Sequence, residues 1–151
     1  MKPVKIELLQ EELDGLQLAA GHLQYSVERC RDLIGRDALP PEQLERLESL
    51  TSRFARLADL LIQRIFRLLD EIELIDSGSI LDRIYRAEKR GWANASELIN
   101  IRELRNLIAH EYAADKMLEI YEAVATMSPI LLAAVPKVSE YANNTIRKYP
   151  K

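Results

Sequence analysis

Apolar residues recur from Ile6 at Leu9, Leu13, Leu16, Ala20, Leu23, Val27, Cys30 and Ile34, an unbroken alternation of three- and four-residue steps. That period draws one stripe along an α-helix and, over about four heptads, has the form of a coiled-coil seam. The segment "GRDALPPEQ" interrupts it, with Gly35 as a helix stop and Pro41 placed to open the next helix. A second seam follows at Leu44, Leu47, Thr51, Phe54, Ala58, Leu61, Ile65, Leu68, Ile72 and Ile75. Two helices of about 30 residues, each about 45 Å long and joined by a short loop, predict an antiparallel hairpin.

"DSGS", Asp76 to Ser79, ends the second helix and starts a shorter third, "ILDRIYRAEKR", which Gly91 closes. Asn94 and Glu97 have capping-box spacing, so a fourth helix is expected from about Ala95. Asp115 is placed to cap a last long segment, Lys116 to about Arg147, in which Pro129 and Pro136 each remove a backbone donor and predict a kink or a restart. Strand signals are nearly absent. The expectation is all-α, an up-down bundle of about five helices forming one domain over 1–151.

Composition narrows the class. With 151 residues, 48% of them hydrophobic, the chain can bury a core. Its formal charge of -3 offers no global basic field for nucleic acid, so any such contact must come from a local patch. One cysteine, Cys30, excludes an intramolecular disulfide and leaves too little sulfur for a structural zinc site; its seam position makes it a small core hydrophobe. The charged, amphipathic N-terminus does not read as a signal peptide, and no run looks apolar enough to span a membrane, so a cytoplasmic protein is expected.

The chemistry concentrates in "IRELRNLIAHEY", Ile101 to Tyr112. On a helical wheel with Arg102 at zero, Leu104, Leu107, Ile108 and Ile101 fall between about 140° and 260°, a coherent face for burial. Arg105, Ala109, Arg102, Asn106 and His110 occupy the opposite arc and are expected to point away from the core. Arg102, Asn106 and His110 form one ridge, in which the Asn106 amide can fix the imidazole tautomer. Arg105 and Tyr112 form a second. Arg105 and His110 lie about 140° apart, an awkward angle for two groups acting on one atom. A distortion of the helix near Ala109 relieves it, and so does a two-fold dimer with a composite site, the arrangement favoured here.

Such a set suits phosphodiester cleavage without metal: histidine moves the proton of a ribose 2′-hydroxyl or of the leaving oxygen, and a fixed guanidinium holds the phosphate. No cluster has metal-ligand spacing. By spacing alone, a solvated helix face with a capping histidine explains the same residues.

"RNLIAHEY", Arg105 to Tyr112, resembles the R-x-x-x-x-H-x-Y signature of HEPN-domain toxins, in particular the HepT type paired with minimal nucleotidyltransferase (MNT) antitoxins. The match includes the Asn after the Arg, the acidic residue between His and Tyr, and the small residue before the His, and the helical surroundings agree over most of the chain. The resemblance implies a HEPN-like fold and a homodimer with a ribonuclease site at a cleft between two motif helices. It implies that Arg105 and His110 are the catalytic pair, oriented by Asn106, and that Tyr112 is the residue that the nucleotidyltransferase modifies with AMP to silence the toxin. The family tends to carry an acidic or polar helper on an earlier helix; Asp59 and Asp70 are candidates, and neither is assigned the role. No cofactor is implied.

Other features have two readings each. Arg53, Arg56, Arg64 and Arg67 form a stripe on the second helix, either a phosphate contact or a face paired internally with Asp59, Asp70 or Glu71. Arg86, Lys89 and Arg90, with Arg102, are candidates for RNA contact; the first three also fit an ordinary helix C-terminus. Trp92 is expected as a core or hinge plug. The functional alternatives are a non-catalytic, substrate-binding partner of a nucleotidyltransferase and a plain helical interaction module.

Overall fold

The computed structural model describes residues 3–111 and 114–149. Its elements are α1 (Val4–Cys30), α2 (Pro41–Ala58), a π-helical segment (Asp59–Ile65), α3 (Phe66–Ile72), α4 (Ile80–Lys89), α5 (Ala95–His110) and α6 (Ala114–Arg147), and no strand occurs among the described residues. Backbone angles at Ala58 and Phe66 are right-handed helical, so α2, the π segment and α3 form one continuous rod. The molecule is therefore an all-α bundle of five helical rods, as the periodicity predicts.

α1 and the rod form the expected antiparallel hairpin. Lys5 meets Glu71 at 4.0 Å, Glu12 meets Arg64 at 3.7 Å, Ser26 accepts from Arg53 at 2.8 Å, and the Cys30 thiol donates to the Arg46 carbonyl at 3.2 Å. One residue number rises as the other falls. α6 packs on both helices of the hairpin, Gln17 donating to Ser139 at 2.9 Å, and α5 packs against α2, α4 and α6. The seam residues Leu9, Leu16, Leu23, Phe54, Leu61 and Ile65 are fully buried in one continuous core. Each large side chain so buried contributes about 1.5–3 kcal/mol. Cys30 is in that core, and burial pushes its thiol pKa up.

The loops follow local chemistry. Gly35 adopts φ +86°, a left-handed conformation suited to glycine, where α1 gives way to the loop. Ser79 caps α4 through a reciprocal pair with Asp82. The rod ends in a Schellman-type closure, the Ile75 N–H donating to the Asp70 carbonyl at 2.8 Å and that of Leu74 to the Glu71 carbonyl at 3.1 Å. Leu74 holds the left-handed position at φ 61° with its side chain 92% exposed.

Four expectations are corrected. The second helix is not α-helical throughout: the Phe66 N–H bonds to the Leu61 carbonyl, five residues back, so the rod carries a wide turn. α5 does start at Ala95, but Asn94 makes no cap; its amide bonds Glu97, and Glu88 from α4 accepts the Ala95 N–H at 2.8 Å. α6 does not restart at Pro129 or Pro136, and it begins at Ala114, leaving Asp115 inside its first turn. Within Lys116–Arg147 an 18-residue window reaches mean hydropathy 1.5, so one helix does meet the length and composition of a membrane span; the core helix of a bundle meets them equally, and Val124, Leu131, Val135 and Val138 are buried in the core.

Candidate functional site

Three elements hold α5, and their packing turns its core face away from the position the wheel predicts. Leu98, Ile101 and Leu104 are buried, an arc from about 200° to 320° when Arg102 is at zero, whereas Leu107 is 46% exposed and Ile108 only half-buried. The solvent stripe runs through Asn100, Glu103, Leu107 and His110. Arg105, at about 300°, therefore lies within that arc, near its Leu98 edge, rather than opposite it.

That edge faces Asp59, the residue that opens the π segment. Arg105 Nε donates to Asp59 Oδ1 at 2.7 Å and Nη2 to Oδ2 at 2.9 Å. This is a side-on bidentate pair, about one third exposed on both sides. It raises the guanidinium's pKa beyond its ordinary value, and it fixes the plane of the group. Beyond the Nη2 bond to Asp59, the Nη1 and Nη2 groups make no bond to the described residues. Of the two acidic candidates, Asp59 is the one that pairs with Arg105; Asp70 pairs with Arg86 and Arg90. Nothing in the sequence announces the wide turn, because Leu60, Leu61, Ile62, Ile65 and Phe66 are apolar on nearly all sides and blur the period.

His110 is exposed in the last turn. α5 stays regular through it: the Glu111 N–H bonds to the Leu107 carbonyl at 2.9 Å, so the distortion near Ala109 that would swing His110 toward Arg105 is absent. Within one chain the two groups point about 140° apart. Asn106 is half-buried and makes no hydrogen bond to His110 among the described residues, so the expected tautomer-fixing contact is not formed. Tyr112 lies outside the described residues. Arg102 is half-buried, with Nε withdrawn from solvent and unpartnered.

The basic cluster ahead of α5 divides. Arg86 and Arg90 are not displayed to an RNA strand: both hold the buried Asp70, at 2.6 Å and 3.1 Å, and Arg90 also pairs with Glu73. Arg90 stacks over Trp92 at 5.0 Å and Tyr141 at 5.3 Å, and the Tyr141 hydroxyl donates to Glu73 at 2.6 Å. Burial pushes the Asp70 carboxyl pKa up against the opposing pull of the two arginines. These groups pin α4 to α3, which is why two cations that look free in the sequence are internal ties. Lys89 stays exposed. Trp92 is the expected plug, 5.1 Å from both Phe66 and Tyr141.

The stripe on the rod is largely tied down. Arg67 pairs with Glu71 at 3.2 Å and Arg64 with Glu12 at 3.7 Å, and Arg53 donates to Ser26 and to the His22 carbonyl. Among the described residues no group of three or more His, Cys, Asp or Glu side chains has the geometry to hold a metal ion. Comparison with family models, with curated proteins and with solved structures finds no match for this chain.

Proposed function

We propose that the chain is the toxin half of a toxin–antitoxin pair, a cytoplasmic, metal-independent endoribonuclease of the HEPN type that works as a homodimer. The observation that carries this reading is the Arg105–Asp59 pair. It holds one edge of a partly exposed guanidinium on a carboxylate and leaves the other, a fork suited to two oxygens of a phosphodiester, without a bond to the described residues. Arg105 belongs to the R-x-x-x-x-H-x-Y motif, and Asp59 supplies a partner from outside it.

In this reading the composite site takes Arg105 from one protomer and His110 from the other, since a regular α5 keeps the two apart within a chain. Leu107, exposed beside His110, supplies apolar surface for that contact. The His110 imidazole takes the proton of a ribose 2′-hydroxyl. The 2′-oxygen then forms a bond to phosphorus while the bond from phosphorus to the 5′-oxygen breaks, and the leaving oxygen takes a proton. The products are a 2′,3′-cyclic phosphate and a 5′-hydroxyl. Arg105 stabilises the charge that the phosphoryl oxygens gain in the transition state. Asn106 is retained as an orienting residue, acting once a partner helix covers it.

Silencing follows from charge. A cognate MNT nucleotidyltransferase transfers AMP from ATP to the Tyr112 hydroxyl, with pyrophosphate leaving, and an anionic nucleotide seven positions along the sequence from Arg105 competes with RNA for that fork.

Expression of the chain alone arrests growth and degrades RNA on this reading, and His110→Ala abolishes both while the circular dichroism spectrum and dimer mass are retained. A wild-type chain that leaves RNA intact refutes it. Intact mass after incubation with the neighbouring nucleotidyltransferase and ATP gains AMP-sized increments that Tyr112→Phe removes. One observation favours a second reading, a non-catalytic subunit that shapes a nucleotidyltransferase's substrate site: a single chain does not bring Arg105 and His110 together. Under it, His110→Ala leaves the partner's transfer activity, not RNA cleavage, to register the change.

A further inference from the structure

An open crevice of about 280 Å³ lies on the surface of the hairpin, lined by three residues of α1 and five of α2, all of them polar or aromatic. The crevice beside Val27, Ile34 and Leu50, by contrast, is lined mainly by apolar groups. Helical spacing gathers the polar set: Tyr25, Ser26 and Arg29 lie within about one turn of α1, and Arg46, Ser49 and Arg53 recur at three- and four-residue steps along α2.

The three arginines are held in different ways. Arg46 gives Nε and Nη2 to one oxygen of Glu42, at 2.9 Å and 2.7 Å, in a pair whose carboxylate is 64% exposed. Such a solvent-screened pair is weak, so a phosphate competes with it readily. Arg53 is fixed by neutral oxygens: Nη1 donates to the buried Ser26 hydroxyl at 2.8 Å and to the His22 carbonyl at 3.3 Å. Arg29 makes no hydrogen bond or ion pair among the described residues, and its guanidinium lies 5.7 Å from the centroid of the Tyr25 ring. The Arg53 guanidinium is 6.0 Å from the same centroid. Arg86 and Arg90, each satisfied by a carboxylate, are ties within the fold. Arg29 and Arg53 instead bring two charges to one ring with no carboxylate partner among the described residues.

Guanidiniums free of carboxylates, with the hydroxyls of Ser26 and Ser49, offer donors for more oxygens than a carboxylate carries, which suits a phosphate dianion. Three arginines against two glutamates, Glu42 and Glu45, leave one net positive charge, which matches a monophosphate better than a triphosphate. Tyr25, 59% exposed, presents a ring to a planar base. The volume lies at the small end of ligand sites, which run from about 300 to 1,000 Å³, so it takes one nucleotide and not a chain. We propose that this crevice binds a nucleoside monophosphate, its phosphate held by Arg29, Arg53 and, on displacing Glu42, Arg46, and its base stacked on Tyr25. The site shares no residue with the motif helix and does not rest on the ribonuclease reading.

Calorimetric titration of the full chain with AMP, inorganic phosphate, adenosine and ATP tests it. AMP binds more tightly than each of the other three. Arg29→Gln and Arg53→Gln each weaken AMP binding about tenfold, the loss of one charge-assisted contact. Arg29→Gln keeps the wild-type thermal midpoint, because that side chain makes no bond to the fold, so its loss of binding is not a loss of structure. Glu42→Gln strengthens AMP binding by up to about fivefold, a gain that no unfolding can imitate. Tyr25→Leu weakens AMP binding severalfold and leaves inorganic phosphate unchanged, whereas Tyr25→Phe binds both as wild type does. Arg147→Gln, at the exposed end of α6, also binds as wild type. Failure of the wild-type chain to bind millimolar AMP overturns the proposal, as does unaltered AMP affinity in both arginine variants. Inorganic phosphate or ATP binding as tightly as AMP overturns the assignment to a nucleoside monophosphate, and an Arg147→Gln protein weakened as much as Arg29→Gln shows general charge attraction in place of a site.

Discussion

Replacing Asp59 and Asp70 by asparagine, one at a time, separates two arginine-bonded carboxylates with opposite consequences. Each accepts two guanidinium N–H bonds, Asp59 from Arg105 and Asp70 from Arg86 and Arg90. Burial differs: the Asp70 side chain is 1% exposed and the Asp59 side chain 38%. Removing the charge of Asp70 leaves two poorly solvated cations without their counter-ion, which costs about 3–5 kcal/mol. In a chain of this size each kcal/mol moves the thermal midpoint by about 2–4 °C, so Asp70→Asn falls by about 10 °C. The Asp59–Arg105 pair is screened by water and is worth about 0–1 kcal/mol, so Asp59→Asn loses at most about 4 °C. On the proposed ribonuclease reading its effect is functional: with the clamp gone Arg105 samples several rotamers, and misplacement on the scale of 1 Å costs about 100-fold in turnover. The assay pairs calorimetric midpoints with RNA cleavage for each purified variant. An Asp59→Asn protein that melts as low as Asp70→Asn, or an Asp70→Asn protein that melts with wild type, refutes the assignment of one carboxylate to the site and the other to the fold.

Three further outcomes follow from local structure. Leu74→Gly raises stability by up to about 1 kcal/mol, since it relieves a left-handed leucine and loses almost no packing; a lower urea midpoint would contradict this. Cys30 resists iodoacetamide in the native state at pH 8 and reacts on unfolding, because burial both shields the thiol and raises its pKa; rapid native labelling would refute its core position. Hydrogen bonds from the Ser79 backbone and hydroxyl hold the Asp82 carboxyl below its ordinary pKa, so its contribution is present above the unfolded value near pH 4 and is lost as pH falls through the folded value. Wild type therefore exceeds Asp82→Ala in urea midpoint at pH 7, and the gap narrows as pH falls below the unfolded value.

The helix hairpin was legible because its information is one-dimensional. A stripe at Ile6, Leu9, Leu13 and Leu16 needs only a period to be read, and Gly35 and Pro41 need only their own backbone limits. The motif helix was legible in its bounds but not in its orientation. Periodicity places Leu107 with Leu104; packing by three neighbours leaves Leu107 open and brings Arg105 to the core edge. Arg86 and Arg90 misled for the same reason, since a cation's partner on another helix has no fixed spacing in the sequence.

The sequence by itself determined the helix count, the hairpin, the core stripe and the presence of Arg105, His110 and Tyr112 in one short motif. All of these depend on residues within a few turns of one another. Only the tertiary structure decided that Asp59 is Arg105's partner across 46 positions, that the rod widens into a π turn where that contact is made, and that Asp70 is a tie within the fold. The physical reason is common to all three: an ion pair between helices is selected by distance and desolvation in the folded state, and neither quantity is written in the order of residues along one helix.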